Sequence, residues 1–143
     1  EMIHDALSPF THDLAMDAVQ LIELPHLTHI LTQFTAALVE GHGMLDVISA
    51  LHPTPAVAGT PREEAAKTIR ELEDFSRGLY AGCVGWIDSA GNGDAAVAIR
   101  SAVVEERTAY TFAGAGIVAD SDAQDEEKET RAKLQTMLDI LGA

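Results

Sequence analysis

The sequence predicts an α+β fold, with helices first, then an antiparallel strand meander, then a closing helix. Three observations carry this. Gly91-Asn92-Gly93 lies between two apolar runs, and Asn-Gly in that setting is the strongest short-range hairpin signal. Upstream, Thr60-Pro61 followed by Glu63 has the form of a helix start with a capping box. Near the end, Leu134, Met137, Leu138 and Leu141 recur at i, i+3, i+4 and i+7. Elements grouped by type rather than alternating argue for α+β.

Residues up to about Leu21 have helical spacing, broken at Pro9. Residues 24–39 read as extended after Pro25, with Leu27, His29 and Leu31 on one side and Ile30 on the other. Residues 44–51 form a short helix that stops before Pro53, because a residue preceding proline avoids the helical region. Three prolines and a glycine deny residues 52–61 a regular helix. The next helix takes Thr60 as N-cap and Pro61 in its first turn. Ala65, Ile69, Leu72 and Ser76 make its weakly apolar stripe, and Gly78 terminates it. Strands at 79–88 and 95–104 flank the Asn-Gly turn, and 108–118 returns after Glu105-Glu106-Arg107. The last helix runs from about Asp122 to Leu141.

The chain has 143 residues, 9 Lys+Arg against 23 Asp+Glu, and a formal charge of −14. One domain is the expected organisation, able to bury about 70% of its unfolded surface. The acidity argues against a nucleic-acid binder, which needs a basic face, and against docking on an anionic membrane. The longest apolar stretches, such as 111–119, are about half the ~20 residues of a spanning helix. No leader is recognisable at the start, and the single Cys83 excludes a disulfide framework, so a cytoplasmic protein is expected. The first basic residue is Arg62, and all six histidines precede it. His26 and His29 stand three apart, without the Cys or paired His of a zinc pattern.

Three groups of residues look out of place. Arg100 shares a predicted strand face with Ala96, Ala98, Ala102 and Val104, where a guanidinium needs an anion. It pairs with an internal carboxylate, snorkels to water from an edge strand, or clamps a ligand carboxylate with its planar fork. Gly114-Ala115-Gly116 interrupts the following strand, which marks either a bulge or a close backbone approach to a ligand. Glu126, Glu129 and Lys133 share one face of the last helix, about 100° from its apolar stripe. Two carboxylates one turn apart suit Mg²⁺; alternatively they are dipole-favoured acids of a helix start, with Glu129–Lys133 as an i,i+4 pair.

Taken in order, several stretches resemble the chorismate-utilising enzymes: LHPTPAVAGTP at 51–61, RGLYAGCVGW at 77–86, GNGD at 91–94, AIR at 98–100, FAGAGIVADSD at 112–122, then Glu129-Thr130 and Lys133-Leu134. His52-Pro53-Thr54-Pro55-Ala56 is similar to the isochorismate synthase branch. The resemblance implies the C-terminal part of the chorismate-binding α/β sandwich, with antiparallel strands flanked by helices. It implies a Mg²⁺-dependent isomerase converting chorismate, a dicarboxylate, to isochorismate for menaquinone or for siderophore and salicylate-type pathways. By the same likeness, Arg100, Gly114, Gly116 and Lys133 contact substrate carboxylates, Ala56 and Tyr80 line the substrate region, and Glu126 and Glu129 face the metal. His29 matches the histidine near the departing hydroxyl. Ala123, Glu127 and Ala95-Ala96 depart from the family pattern, which implies a looser start to the last helix.

The likeness places a general-base lysine, a general-acid glutamate and a further metal-binding glutamate upstream of this stretch. Adding water to a ring and expelling a hydroxyl needs both a base and an acid. The expectation is therefore a piece of an enzyme, inactive by itself, which self-associates or binds a missing N-terminal half. A branch forming salicylate or an aminated product is the neighbouring alternative, and a non-catalytic association module of the same fold is the other.

Overall fold

The computed structural model describes residues 2–24 and 27–142; Glu1, Pro25, His26 and Ala143 lie outside them. The expectations for Pro25 and for the His26–His29 spacing therefore have no structural counterpart. Helices and antiparallel strands are mixed along the chain, as in an α+β fold. The contacts divide it into two compact units, residues 1–51 with 87–93 and residues 52–86 with 94–143. Among the described residues, no helix is long and apolar enough to cross a membrane.

In the first unit, α1 is Met2–Leu7 and a 3₁₀ turn follows at Ser8–Phe10. The predicted helix to Leu21 does not continue. Ser8 Oγ and Thr11 Oγ1 donate to the carbonyls of His4 and Leu7 at 2.6 and 2.8 Å, and Thr11 is already extended. Side-chain hydroxyls thus take over carbonyls that a longer helix would need. The chain instead enters β1 (Thr11–Met16), which pairs antiparallel with β4 (Phe34–Leu38). Its register shifts between His12 and Ala15, where Asp13 has φ +52°. Between them β2 (Gln20–Leu24) and β3 (Leu27–Leu31) form a second antiparallel ribbon. The extended reading of 24–39 is therefore met by two strands belonging to different ladders.

Met44–Leu51 forms α2 with the predicted bounds. Met44, Val47, Ile48 and Leu51 point inward at helical spacing, while Leu45 and Asp46 are exposed. Asp46 Oδ2 accepts the Gly43 amide at 2.8 Å at its start, and α2 packs on α1.

In the second unit, one helical turn, α3 (Pro55–Ala58), forms inside the proline-rich stretch where no regular helix was expected. Proline fits a first helical turn, and Gly59 at φ +78° closes it. The next helix, α4, is Arg62–Leu72. Its N-cap is Pro61, one residue later than predicted, so the Thr60 hydroxyl makes no capping bond. It also ends at Leu72, with the Glu73 amide donating to the Ile69 carbonyl at 2.9 Å, six residues short of Gly78.

The Asn-Gly hairpin forms as β5 (Cys83–Ile87) paired with β6 (Gly93–Val97). Asp88 organises its tip, accepting the Ala90 and Asn92 amides at 2.8 and 2.9 Å and the Asn92 side chain at 3.0 Å. Gly85 is where the partner backbone comes closest: a Cβ there would lie 2.1 Å from the Asp94 carbonyl oxygen. Next to it, Trp86 stands 60% exposed. The predicted strand 95–104 is broken, because Arg100 adopts φ +50° between β6 and β7 (Ala102–Glu105). A left-handed residue resets the side-chain alternation, so Ala96, Ala98, Arg100, Ala102 and Val104 do not form one continuous face. The ribbon of β7 with β8 (Thr108–Thr111) closes on Glu106-Arg107, and residues 112–118 leave the ladder rather than extending it.

The last helix, α5, spans Ala123–Leu141. The Asp122 carboxylate accepts the Gln124 and Asp125 amides, and left-handed Gly142 closes its end. Leu134, Met137 and Leu138 are half-buried. Among the described residues only Leu7, Ala58 and Ala81 are buried apolar positions, and none of them completely.

Candidate functional site

The second unit brings together four of the residues singled out from sequence. Lys133, on α5, donates from Nζ to the Gly114 carbonyl at 3.1 Å and pairs with Glu129 one turn earlier. Its side chain is 21% exposed and that of Glu129 is 54%, so the ammonium is the more enclosed member. Gly114 lies in the irregular segment after β8, where no ladder partner occupies its carbonyl. A Cβ on Gly114 would meet the Tyr80 hydroxyl at 3.1 Å. What stands close to Gly114 is thus a side chain of this chain, Tyr80, which is tight internal packing; the alternative of a ligand at 114–116 is neither met nor excluded by it. At Gly116 a Cβ would meet nothing within 4 Å.

Tyr80 is held through its ring. Its centroid lies 5.5 Å from that of Phe112, with the planes 19° apart, and Phe112 in turn stacks on Phe75 at 5.9 Å. The Arg77 guanidinium lies 5.7 Å from the Tyr80 centroid. Arg77 also donates to both Glu73 carboxylate oxygens, at 2.8 and 2.6 Å, and to the Val57 carbonyl at 2.9 Å. The Glu73 hydrogen bonds raise the Arg77 pKa further. Sequence reading passed over Arg77; its signal was a basic residue between a helix end and Gly78, easily taken for a solvated helix terminus.

The two proposed metal acids are engaged differently. Glu126 is half-buried and accepts the Ser121 hydroxyl at 2.6 Å, while Glu129 is tied to Lys133. No third His, Cys, Asp or Glu joins them to form a metal-sized cluster among the described residues. Their donor chemistry still suits Mg²⁺, which takes one or two carboxylates and keeps several waters.

Arg100 is half-buried, and among the described residues it has no ion-pair partner. The internal salt bridge considered from sequence is therefore not formed. Ala56, exposed on α3, sits beside the Val57 carbonyl that Arg77 holds. His29 belongs to the first unit, exposed on β3 and opposite Ile22 in the β2–β3 register.

As a chemical device, the second unit offers an enclosed ammonium on a glycine carbonyl, a phenol and two carboxylates. That set suits an anionic, oxygen-rich small molecule.

Comparison with known proteins gives a consistent picture. The family model described as chorismate binding enzyme matches residues 1–142. Isochorismate synthase MenF of Bacillus subtilis is 44% identical over 142 residues, which are 99% of this chain and 30% of that protein. The solved structure of MenF, the menaquinone-specific isochorismate synthase of Escherichia coli, superposes with a TM-score of 0.85 at 32% identity, over 96% of this chain and 32% of its own. Anthranilate synthase component I of Streptococcus pneumoniae superposes with 0.87 at 30% identity, over 95% and 32%. The chain thus spans about a third of the length of the relatives it matches.

Proposed function

The chain belongs to the chorismate-binding enzyme family, and on that premise we propose that it supplies the substrate-carboxylate and metal portion of an isochorismate synthase, which converts chorismate to isochorismate. The observation that carries this is the junction of Lys133, Gly114 and Tyr80: an enclosed cation seated on a glycine carbonyl beside a phenol. Lys133 and Arg100 are the cations for a dicarboxylate, and Gly114 and Gly116 let it reach the backbone. Ala56 and Tyr80 line the substrate. The isochorismate branch is favoured over the anthranilate one by His52-Pro53-Thr54-Pro55-Ala56; identity barely separates them, at 44% for an isochorismate synthase and 42% for an anthranilate synthase component 1, and the fold itself is common to both.

Glu126 and Glu129 would hold Mg²⁺, releasing Ser121 and Lys133 to other partners. The ion would supply positive charge to the substrate carboxylate. Proton transfer at the ring needs a base and an acid, and we assign both to residues outside this chain. The setting is the cytoplasm, in keeping with a single, exposed Cys83 thiol.

The test is titration of the 143-residue chain with chorismate and Mg²⁺, beside Lys133→Ala and Glu129→Ala. Weak chorismate binding lost in Lys133→Ala is expected, as is weak Mg²⁺ binding lost in Glu129→Ala. Binding unchanged by these substitutions overturns the site. Isochorismate made by the chain alone overturns the placement of base and acid. Products of the whole reading frame containing this segment, separated by chromatography, decide between the branches.

A further inference from the structure

Arg77 and Lys133 are both paired with a glutamate one turn away, but Glu129 stands 54% exposed, whereas the Arg77–Glu73 pair is bidentate and covered on both sides. Both side chains of this pair are under 30% exposed, at 28% and 27%, and among the described residues no other ion pair is so covered on both sides. A helix-end salt bridge would need only Glu73, four residues earlier. Instead the guanidinium also reaches Val57, twenty residues away in sequence, and lies over the Tyr80 ring. The backbone between Arg77 and Tyr80 is a tight turn, with Gly78 at φ +53° and the Tyr80 amide donating to the Arg77 carbonyl at 2.8 Å.

We propose that Arg77 is a positioning residue: its planar fork fixes the spacing between the α3 turn that carries Ala56 and the Tyr80 ring, and so sets the shape of the substrate region. The substrate part of this inference rests on the function proposed above. Three of its five N–H groups are committed in a single plane, two to Glu73 and one to Val57, and the ring lies near that group. Lysine can keep the charge against Glu73 but cannot supply the fork and the stacking plane together. Tyr80 then passes the placement on, because its hydroxyl lies where Gly114 has no side chain and the Gly114 carbonyl receives Lys133.

The test uses the chain labelled with 3-fluorotyrosine, whose two tyrosines, Tyr80 and Tyr110, are assigned with Tyr110→Phe. Arg77→Lys is expected to shift the Tyr80 fluorine signal, leave that of Tyr110 in place, and weaken chorismate affinity about tenfold. Glu73→Gln, which leaves Arg77 intact but loosens its fork, is expected to do the same to a lesser degree, about threefold in affinity. If Arg77→Lys unfolds the chain, Glu73→Gln decides alone. A Tyr80 signal and an affinity unchanged in either folded variant overturn the positioning role. If chorismate moves the Tyr80 signal of the unsubstituted chain in no way, the function proposed above fails at this site, while the ligand-free Tyr80 signal of the variants still judges Arg77.

Discussion

Replacing Gly85 by alanine probes a close backbone approach between β5 and β6. The added Cβ would lie 2.1 Å from the Asp94 carbonyl oxygen, 2.8 Å from Ala95 Cα and 3.1 Å from Ala95 Cβ. A carbon and a carbonyl oxygen settle no closer than about 3.3 Å, so the strands must part by about 1.2 Å. All three atoms belong to the backbone or its first side-chain atom, and no rotamer change relieves them. Overpacking of this kind costs about 3 kcal/mol, the upper end of its usual range. With a urea m-value near ~2 kcal/mol/M, the unfolding midpoint falls by about 1.5 M. Gly116→Ala is the matched control, since its Cβ meets nothing within 4 Å and its φ lies outside the left-handed region. That change is expected within about 0.5 kcal/mol of the parent. Equal midpoints for the two variants would falsify the reading of β5 and β6 as a ribbon held at Gly85.

Asp122→Ala removes both amide contacts at the start of α5 and is expected to cost about 1 kcal/mol, read by urea unfolding; no loss would mean the cap is not formed in solution. The Asp88 carboxyl is held below its ordinary 3.8, first by the Asn92 side chain and then by backbone amides of the turn. A lowered folded-state value makes the contribution full above pH 3.8 and lost as pH falls through the lowered value. Amide protection at residues 88–92, with the intrinsic pH dependence of exchange divided out, should therefore fall below pH 3.8 and become insensitive to that step in Asp88→Asn. The chain exposes 10791 Å², whereas two separately compact units of these sizes would expose about 8500 Å². The surplus exceeds the ~800 Å² per partner of a standard interface. Self-association that strengthens with salt, as the −14 charge is screened, is expected in sedimentation; a monomer at every concentration and salt would refute it.

Elements whose local signal agreed with their packing were legible in sequence. The proline just past Leu51 marked the end of α2, and the stripe from Leu134 marked α5. The Asn-Gly turn placed β5 and β6. The N-terminal strands were hidden because Thr11–Met16 mixes Thr, His and Asp with apolar residues, and because its partner β4 lies beyond another hairpin. The break at Arg100 was illegible for a different reason. Positive φ at a non-glycine residue leaves no mark in residue type, so apolar alternation seemed to run through it. In the candidate site, Gly114 and Lys133 stood out as a glycine in a strand and a lysine at helical spacing. Their meeting, and the part taken by Arg77, depends on where residues 112–118 leave the ladder, which no local pattern encodes.

Trp86, exposed on β5, is the single tryptophan of the chain. An indole amid water fluoresces at longer wavelength than one under apolar cover, and a soluble quencher reaches it freely. The β5–β6 ribbon therefore carries its own optical gauge, with no label to introduce. Any polypeptide that settles over this ribbon will shift the emission to the blue and slow iodide quenching. Association through surfaces remote from Trp86 leaves the spectrum still, so one emission scan along a dilution series tells which surface the chain uses to meet its neighbours.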